Sequence, residues 1–551
     1  MPVVNVTTER LKKFVPGIRV DKVLDILPFV ALDIEGVDNN VIRVEYNPNR
    51  PDFSSDYGIV RALRGLLGIE IGMPKFRIAG KSGEEVRVEQ QVKRLRPHIV
   101  ALIAKNGKLD DETIKQLMAM QEDLHNGVGR RRKKASVGIH NLDAIQFPIT
   151  YRAVGGDYTF VPLGESSRKT VEQVLKESET GKQYGHIISE FDKYPAITDS
   201  AGTTISLPPI INGDATRVDT KCRNLFVEVT ASDQKAAEDI LAIISVTLYD
   251  AGFEIRTVTV GNKETPQMRT SQIAVDLGYI NNILGLELDV KQAIACLKKS
   301  RLDAKAKGHK MICTIPRYRT DITHSIDIAE EVAIGYGIYN LEPTFLASPT
   351  AGHKNMLSTY FDAVRDAMTG LGMLESLNFS LTSKEVQYGA FDFIPADILS
   401  VDGSKSIEHK ILRESLVPSL LQSLSRNVHE EYPQKLFEIG KAFRKSGTIV
   451  ESWNIAALIA HGEAGYTEIK SAMQALLRTC FGKEPTTRAA SCPFFMAGRS
   501  AEIIVEGKVV GIIGEVAPVA LDNFKLRVPV AGFELNLSAL INAQKTNMME
   551  L

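Results

Sequence analysis

The sequence predicts a soluble α+β protein built from several domains. Its 551 residues exceed what one hydrophobic core spans. Its 44% hydrophobic and 24% charged residues suit buried cores rather than disorder. Strand-like alternation and helical periodicity exchange along the chain, with no tandem repeat and no low-complexity tract. Lys plus Arg (66) nearly cancels Asp plus Glu (67), so RNA contact has to come from local patches rather than a global field. Cys222, Cys296, Cys313, Cys480 and Cys492 form no CxxC pair and read as packing residues of a reducing compartment. The N-terminus meets Glu9 and Arg10 early, and no uncharged apolar run reaches the ~18 residues of a membrane span. A cytoplasmic protein without a membrane segment is expected.

In YNPNRPDFSSDYGIVRALRGLLGIE the prolines and asparagines make a rigid turn, and Asp56 starts a helix to Leu67. The Gly- and charge-rich FRIAGKSGEEVRVEQQVKRLRPHIV reads as a boundary followed by strands. Asp110, Asp111 and Glu112 open an amphipathic helix carrying Ile114, Leu117, Met120 and Leu124. It runs into the basic segment GVGRRRKKASVGIHNLD and a short strand. LFVEVTASD alternates as a strand, and Ser232 or Asp233 caps the helix that stops at Gly252. From about 270, two short helices, a strand and the helix IDIAEEVAIGYG make a compact mixed domain. The last ~200 residues, with LSTYFDAVRDAMTGLG and the strand-like KLFEIGKAF, NIAALIAHG, SAEIIVEGKVVGIIGEV and VAGFELNL, fit an antiparallel sheet flanked by helices.

In RYRTDITHSIDIAEEVAIGYG a helix from Ser325 puts Asp327, Glu330 and Glu331 on one face, with Asp321 on the entering strand. Four converging carboxylates suit a hard cation such as Mg²⁺; the alternative is acids favouring the helix dipole. The run Arg130, Arg131, Arg132, Lys133 and Lys134 either neutralises RNA phosphates or is a solvated loop. In SLPPIINGDATRV, Pro208 and Pro209 fix an extended backbone and Asn212 with Gly213 allows a turn, a plausible pocket wall. Glu228 and Thr230 share one face of their strand, where they read a polar ligand group or face water. The stretch from Leu416 through Leu420, Leu421, Leu424 and Val428 is a packing helix before a strand. There is no GxGxxG, P-loop or GxSxG motif and no histidine cluster at metal spacing.

In their order these segments resemble the larger subunit of phenylalanyl-tRNA synthetase in its archaeal and eukaryotic form. NPNRPDFSSDYGIVRALRG resembles its N-terminal signature. QEDLHNGVGRRRKKASVGIHNLD, GKQYGHIISEFDKYPAITDSAGTTISLPPIIN and NLFVEVTASD resemble its editing domain. RYRTDITHSIDIAEEVAIGYG resembles its metal-binding helix segment, and LRESLVPSLLQSLSRN, KLFEIGKAF and GIIGEVAP its catalytic-like module. The resemblance implies an N-terminal domain over 1–80 and an editing domain of mixed sheet and helices over 81–268. A small helical, winged-helix-like domain with a carboxylate cluster follows over 269–345, and a class II synthetase-like module over 346–551.

It further implies an α₂β₂ enzyme whose smaller subunit uses ATP to charge tRNA(Phe). AGFELNLSALI lacks the arginine that class II cores use on ATP, so this module is expected to pair with the α subunit instead of catalysing aminoacylation. The extra C-terminal anticodon-binding domain of bacterial relatives is expected to be missing, so other surfaces would hold the tRNA. Asp321, Asp327, Glu330 and Glu331 are the implied magnesium ligands. Glu228 is the implied reader of the tyrosine hydroxyl of misacylated Tyr-tRNA(Phe), with Thr230, Pro208, Pro209 and Asn212 around it. No Ser-His-Asp set marks a base, so a positioned water is expected to cleave the ester, with the tRNA's terminal ribose hydroxyl as candidate activator. A free-standing deacylase and an inactive RNA-binding scaffold are the competing expectations.

Overall fold

In the computed structural model, which describes residues 1–38, 40–345, 350–404 and 406–541, alternating segments between Gly80 and Thr265 build a ten-stranded sheet. From one edge its strands run Ile211–Asn212, Thr204–Leu207, Tyr194–Thr198, Ile149–Val154, Gly80–Val88, Glu254–Val260, His98–Lys105, Leu225–Ala231 and Ala135–Asn141, with Lys263–Thr265 paired to Glu254–Val260. Pairing is antiparallel except where Gly80–Val88 meets its two neighbours. The helix Gln234–Asp250, capped by Asp233, packs on this sheet through Ile240, Leu241 and Ile244. The helix Asp111–Asn126, capped by Asp110, adds Leu117, Met120 and Leu124 to the same core.

Alternation along Leu225–Ala231 then has a definite meaning. Leu225, Val227, Val229 and Ala231 join the core under the helices, while Phe226 joins the core on the opposite face. Glu228 and Thr230, at Phe226+2 and +4, share that opposite face. Both are buried, at 2% and 0% exposure, so they do not face water.

Before this sheet, Val3–Thr7, Val41–Tyr46 and Leu32–Asp38 form a three-stranded sheet, with the helix Asp56–Leu66 packed into its core. The turn into that helix buries Asp52, Ser54, Ser55 and Asp56. Gly58 is needed there, because a Cβ would stand 1.7 Å from the Asp52 carbonyl oxygen. After the large sheet, Ser271–Asp276, Lys310–Ile315 and Asp303–Lys307 form another three-stranded sheet, covered by the helices Leu277–Leu284, Val290–Lys299 and Ser325–Tyr336. Asp321 is not on a strand: the preceding strand ends at Ile315, and Asp321 sits in a bend before the helix.

These elements make up one compact unit, Met1–Phe345; the second unit spans Leu346–Leu551. The second unit holds a seven-stranded sheet, antiparallel except for the edge pair Leu374–Glu375 with Gln434–Ser446. The helices Met356–Gly370 and Tyr466–Phe481 cover one face and Val417–Arg426 the other. SAEIIVEGKVVGIIGEV is a hairpin of two strands, Phe495–Val505 and Lys508–Val516. Among the described residues no helix is long and apolar enough to cross a membrane.

Inside the second unit the Arg413 guanidinium bonds Glu438 at 2.6 Å and the Lys441 carbonyl at 3.0 Å, with both charged side chains buried. Asn378 donates to the other Glu438 oxygen at 2.8 Å. Gly440 makes the room, since a Cβ there would lie 2.2 Å from Arg413 Nη2. Arg413→Met strands a buried carboxylate and is expected to cost about 3–5 kcal/mol. Urea unfolding of the second unit checks this; a loss no larger than that of an exposed Arg→Met change contradicts it.

Candidate functional site

Glu228 lies directly between Gly138 on one neighbouring strand and Ala101 on the other. A side chain at 138 is excluded, because a Cβ would come within 2.4 Å of His140 Nε2 and 2.5 Å of Glu228 Oε1. Small residues on both sides thus leave the carboxylate its space. Ser206 Oγ donates to Glu228 Oε1 at 3.1 Å, while Glu228 Oε2 has no partner. His140, fully buried, bonds Thr216 through Nδ1 at 2.9 Å; its Nε2 is 3.9 Å from Glu228 Oε1 and has no hydrogen bond. A buried, half-satisfied carboxylate beside a half-satisfied imidazole is costly unless something else engages it, which makes the place a candidate ligand site.

Glu228 lines a cavity of about 330 Å³, within the range of small-ligand pockets. Its wall includes Ser206, Pro208, Pro209 and Asn212, from the hairpin joining Thr204–Leu207 to Ile211–Asn212 through a cis Pro208–Pro209 bond. The helix Asp111–Asn126 contributes Met118, Glu122 and His125. Thr230 stands behind this wall: its hydroxyl accepts from Arg96 Nε at 3.0 Å and lies 3.1 Å from Ser136 Oγ. It shares the strand face of Glu228 but serves the support, not the lining.

Arg132 is the unexpected member. Arg130, Arg131 and Arg132 all have left-handed backbones, with φ of 48°, 54° and 63°, a conformation costing about 1–2 kcal/mol per residue. Arg96 holds this turn by donating to the carbonyls of Arg132 (3.1 Å) and Lys133 (3.4 Å) while its Nη2 also bonds the Thr230 carbonyl at 2.8 Å. Burial pulls the Arg96 pKa down to about 10, so it stays charged at neutral pH. The turn sends the Arg132 side chain into the cavity wall, where it bonds the carbonyls of Pro209 (3.3 Å) and Ile210 (2.9 Å) and Glu122 Oε1 (2.7 Å), and stacks on Tyr184. Arg132 is therefore withdrawn from the basic run. Arg130, Arg131 and Lys133 are exposed, and Lys134 lies 3.6 Å from Asp233.

Glu122 is also bonded by His125 Nδ1 at 3.2 Å, and together with Arg132 this holds its carboxyl down at about 2. His125 Nε2 accepts the Val137 N–H at 2.9 Å, so the ring proton is on Nδ1, and burial lowers the pKa of the imidazole.

Asp321 and the three acids of the helix Ser325–Tyr336 do not form one oxygen shell. Arg319 donates to Asp321 at 2.9 and 2.7 Å and also bonds Glu331, and Arg50 lies 3.8 Å and 3.9 Å from the same two acids. Asp327 accepts the backbone N–H groups of Thr323 and His324, both at 2.7 Å, and so caps its own helix. Burial, then Glu331 and Asp321, raise the Glu330 carboxyl. Among the described residues no three His, Cys, Asp or Glu side chains are placed to hold an ion. Guanidinium groups neutralise two of the four charges, while Glu330 stays under the influence of Glu331, Asp321 and Asp327, so the four acids are neighbours without being one oxygen shell.

Sequence patterns alone do not single out Ser206, His140, Glu122 or Arg96. Ser206 had a signal, standing two residues before the diproline; Arg96 had none, since its partners are 36 to 134 residues away.

A family model for the phenylalanyl-tRNA synthetase beta chain CLM domain matches residues 341–537, and one for the tRNA synthetase B5 domain matches 273–338. The chain is 38% identical to the phenylalanine-tRNA ligase beta subunit of Archaeoglobus fulgidus, over 98% of this chain and 99% of that protein. It is 36% identical to that of Methanocaldococcus jannaschii, over 98% and 100%. The crystal structure of an N-terminal fragment of the Pyrococcus horikoshii phenylalanyl-tRNA synthetase beta subunit aligns with a TM-score of 0.59 and 31% identity, over 61% of this chain and 99% of the fragment.

Gly138→Ala forces a methyl against Glu228 and His140 and is expected to cost about 1–3 kcal/mol. In urea unfolding, pairing it with Glu228→Ala should recover part of that loss; strictly additive effects would remove the proposed crowding.

Proposed function

Because this chain belongs to the family of phenylalanine-tRNA ligase beta subunits, we propose that its Glu228 cavity hydrolyses Tyr-tRNA(Phe) while a separate α subunit, in an α₂β₂ complex, charges tRNA(Phe) with phenylalanine from ATP. The observation that carries the reading is the buried Glu228 carboxylate with no partner on Oε2. A site shaped for phenylalanine rejects tyrosine by only about a hundredfold, since tyrosine merely adds a hydroxyl. The second site inverts the problem. A phenolic O–H donates to Glu228 Oε2, whereas phenylalanine leaves that buried oxygen unpaired, a penalty of about 1–3 kcal/mol.

Hydrolysis needs water to attack the ester carbonyl. The water oxygen bonds the acyl carbon as the acyl carbon-to-oxygen bond breaks, one water proton goes to the ribose oxygen, and the other is released to solvent as tyrosine leaves as its carboxylate. Glu228 and Ser206 orient the side-chain end of the substrate, and the cavity places the ester for a water nucleophile. The vicinal ribose hydroxyl activates that water. Arg130, Arg131, Lys133 and Lys134, close in sequence to Arg132, serve the phosphates of the tRNA end. No step is assigned to Mg²⁺.

A partner for the second unit is supported by its exposed apolar side chains, Leu377 at 90% and Phe379 at 78% among them. Such exposure also argues against a free-standing deacylase. The work of the complex is cytoplasmic, where charged tRNA is consumed.

Co-expression with the α subunit tests the reading. The chain alone should make no Phe-tRNA(Phe), and the complex should both make it and deacylate Tyr-tRNA(Phe). Glu228→Ala should cut Tyr-tRNA(Phe) deacylation by about tenfold or more while sparing Phe-tRNA(Phe) synthesis. Unchanged deacylation removes Glu228 from the site, and Phe-tRNA(Phe) synthesis by the isolated chain overturns the subunit role.

A further inference from the structure

Four ionisable side chains line the Glu228 cavity: Glu228, Glu122, Arg132 and His125. His125 is neutral, because its Nε2 accepts the Val137 N–H and its single ring proton points to Glu122. Two carboxylates and one guanidinium then leave a formal charge of −1, with no cation in the lining to balance it. Glu228 has no cationic partner in the lining, and Arg132 pairs with one oxygen of Glu122. Both hydrogen bonds to Glu122, from His125 and Arg132, end on Oε1, and its side chain is 48% exposed. Arg132, in turn, spreads its charge over the carbonyls of Pro209 and Ile210 and the face of Tyr184. Glu122 Oε2 is therefore a fixed, ionised acceptor with capacity to spare, on a different element from Glu228 and on the same cavity.

An aminoacyl ester of tRNA carries one cation of its own, the α-ammonium group. Resting on the deacylation reading, we infer that Glu122 receives the α-ammonium of the bound tyrosyl ester, so that the cavity grips its substrate at both ends, by the phenol at Glu228 and by the amine at Glu122. This assigns the helix Asp111–Asn126 a part in recognition and makes Glu122 a specificity residue for esters of amino acids with a free amine. Arg132 and His125 are then positioning residues, which hold Oε1 so that Oε2 presents a constant direction.

The experiment is a two-by-two comparison in the α–β complex. Wild type and Glu122→Gln are each given Tyr-tRNA(Phe) and the 3-(4-hydroxyphenyl)propionyl ester of the same tRNA, which keeps the phenol and lacks the amine. Glutamine retains an amide oxygen for Arg132 and His125 and replaces the charged second oxygen with an NH2 donor, and Phe-tRNA(Phe) synthesis by the same preparation reports intact assembly. Glu122→Gln is expected to slow hydrolysis of Tyr-tRNA(Phe) by about tenfold to a hundredfold, the range of a hydrogen bond to a charged group, and to leave the amine-free ester at its wild-type rate. An equal fall on both esters, or no fall on either, overturns the inference and leaves Glu122 as a prop for Arg132. A wild-type complex inert on Tyr-tRNA(Phe) overturns the deacylation reading, and this inference with it.

Discussion

The Glu228 carboxylate is 2% exposed, accepts a bond from Ser206 through one oxygen, and has none on the other. A group in that condition persists only if its surroundings hold it there, and much of the first unit can be understood as that support. The strand places Glu228 on the face opposite the helices. Gly138 and Ala101 flank it across the ladder, and the Thr204–Leu207 hairpin brings Ser206 over it. The unsatisfied oxygen is tolerable because the energetic cost falls on a strand that is buried along its whole length and paired on both sides.

A second constraint shapes the other side of the cavity. Three consecutive arginines in left-handed backbone are unfavourable, and Arg96, itself buried, offsets this by tying their turn to the Thr230 carbonyl and hydroxyl. That clamp aims Arg132 at Glu122 and the diproline carbonyls. Thr230 and the basic run, which lie about a hundred residues apart in sequence, thus belong to one device. The same choice between a free charge and a paired one appears near Asp321, where Arg319 and Arg50 take up the carboxylates that a cation would need.

Much of the architecture is legible in the sequence because it follows local rules. Asp110 and Asp233 cap the helices their positions announce, and the alternation of LFVEVTASD gives its strand. Periodicity gives two faces but not which of them is dry, and for Glu228 that depends on a hairpin some twenty residues upstream. Glu228, Pro208, Pro209 and Asn212 could be picked out by type and resemblance, and they come together in one cavity. Thr230, Arg132, Asp321 and Glu331 could not be placed the same way, since each is decided by a buried arginine whose reach composition does not encode, while Asp327 is taken up by the backbone at its own helix start. Asp321 illustrates this: RYRTD puts Arg319 two residues away, yet only the bend before the helix turns the pair toward Glu331.

The proposed role of the unpaired Glu228 oxygen is to accept a tyrosine hydroxyl. Its most direct test is a crystal structure of the complex with the non-hydrolysable amide 3′-(L-tyrosyl)amino-3′-deoxyadenosine. The phenolic oxygen is expected at hydrogen-bond distance, about 2.5–3.0 Å, from Glu228 Oε2. A tyrosyl ring bound with its hydroxyl turned away from Glu228, or bound elsewhere on the chain, would contradict it.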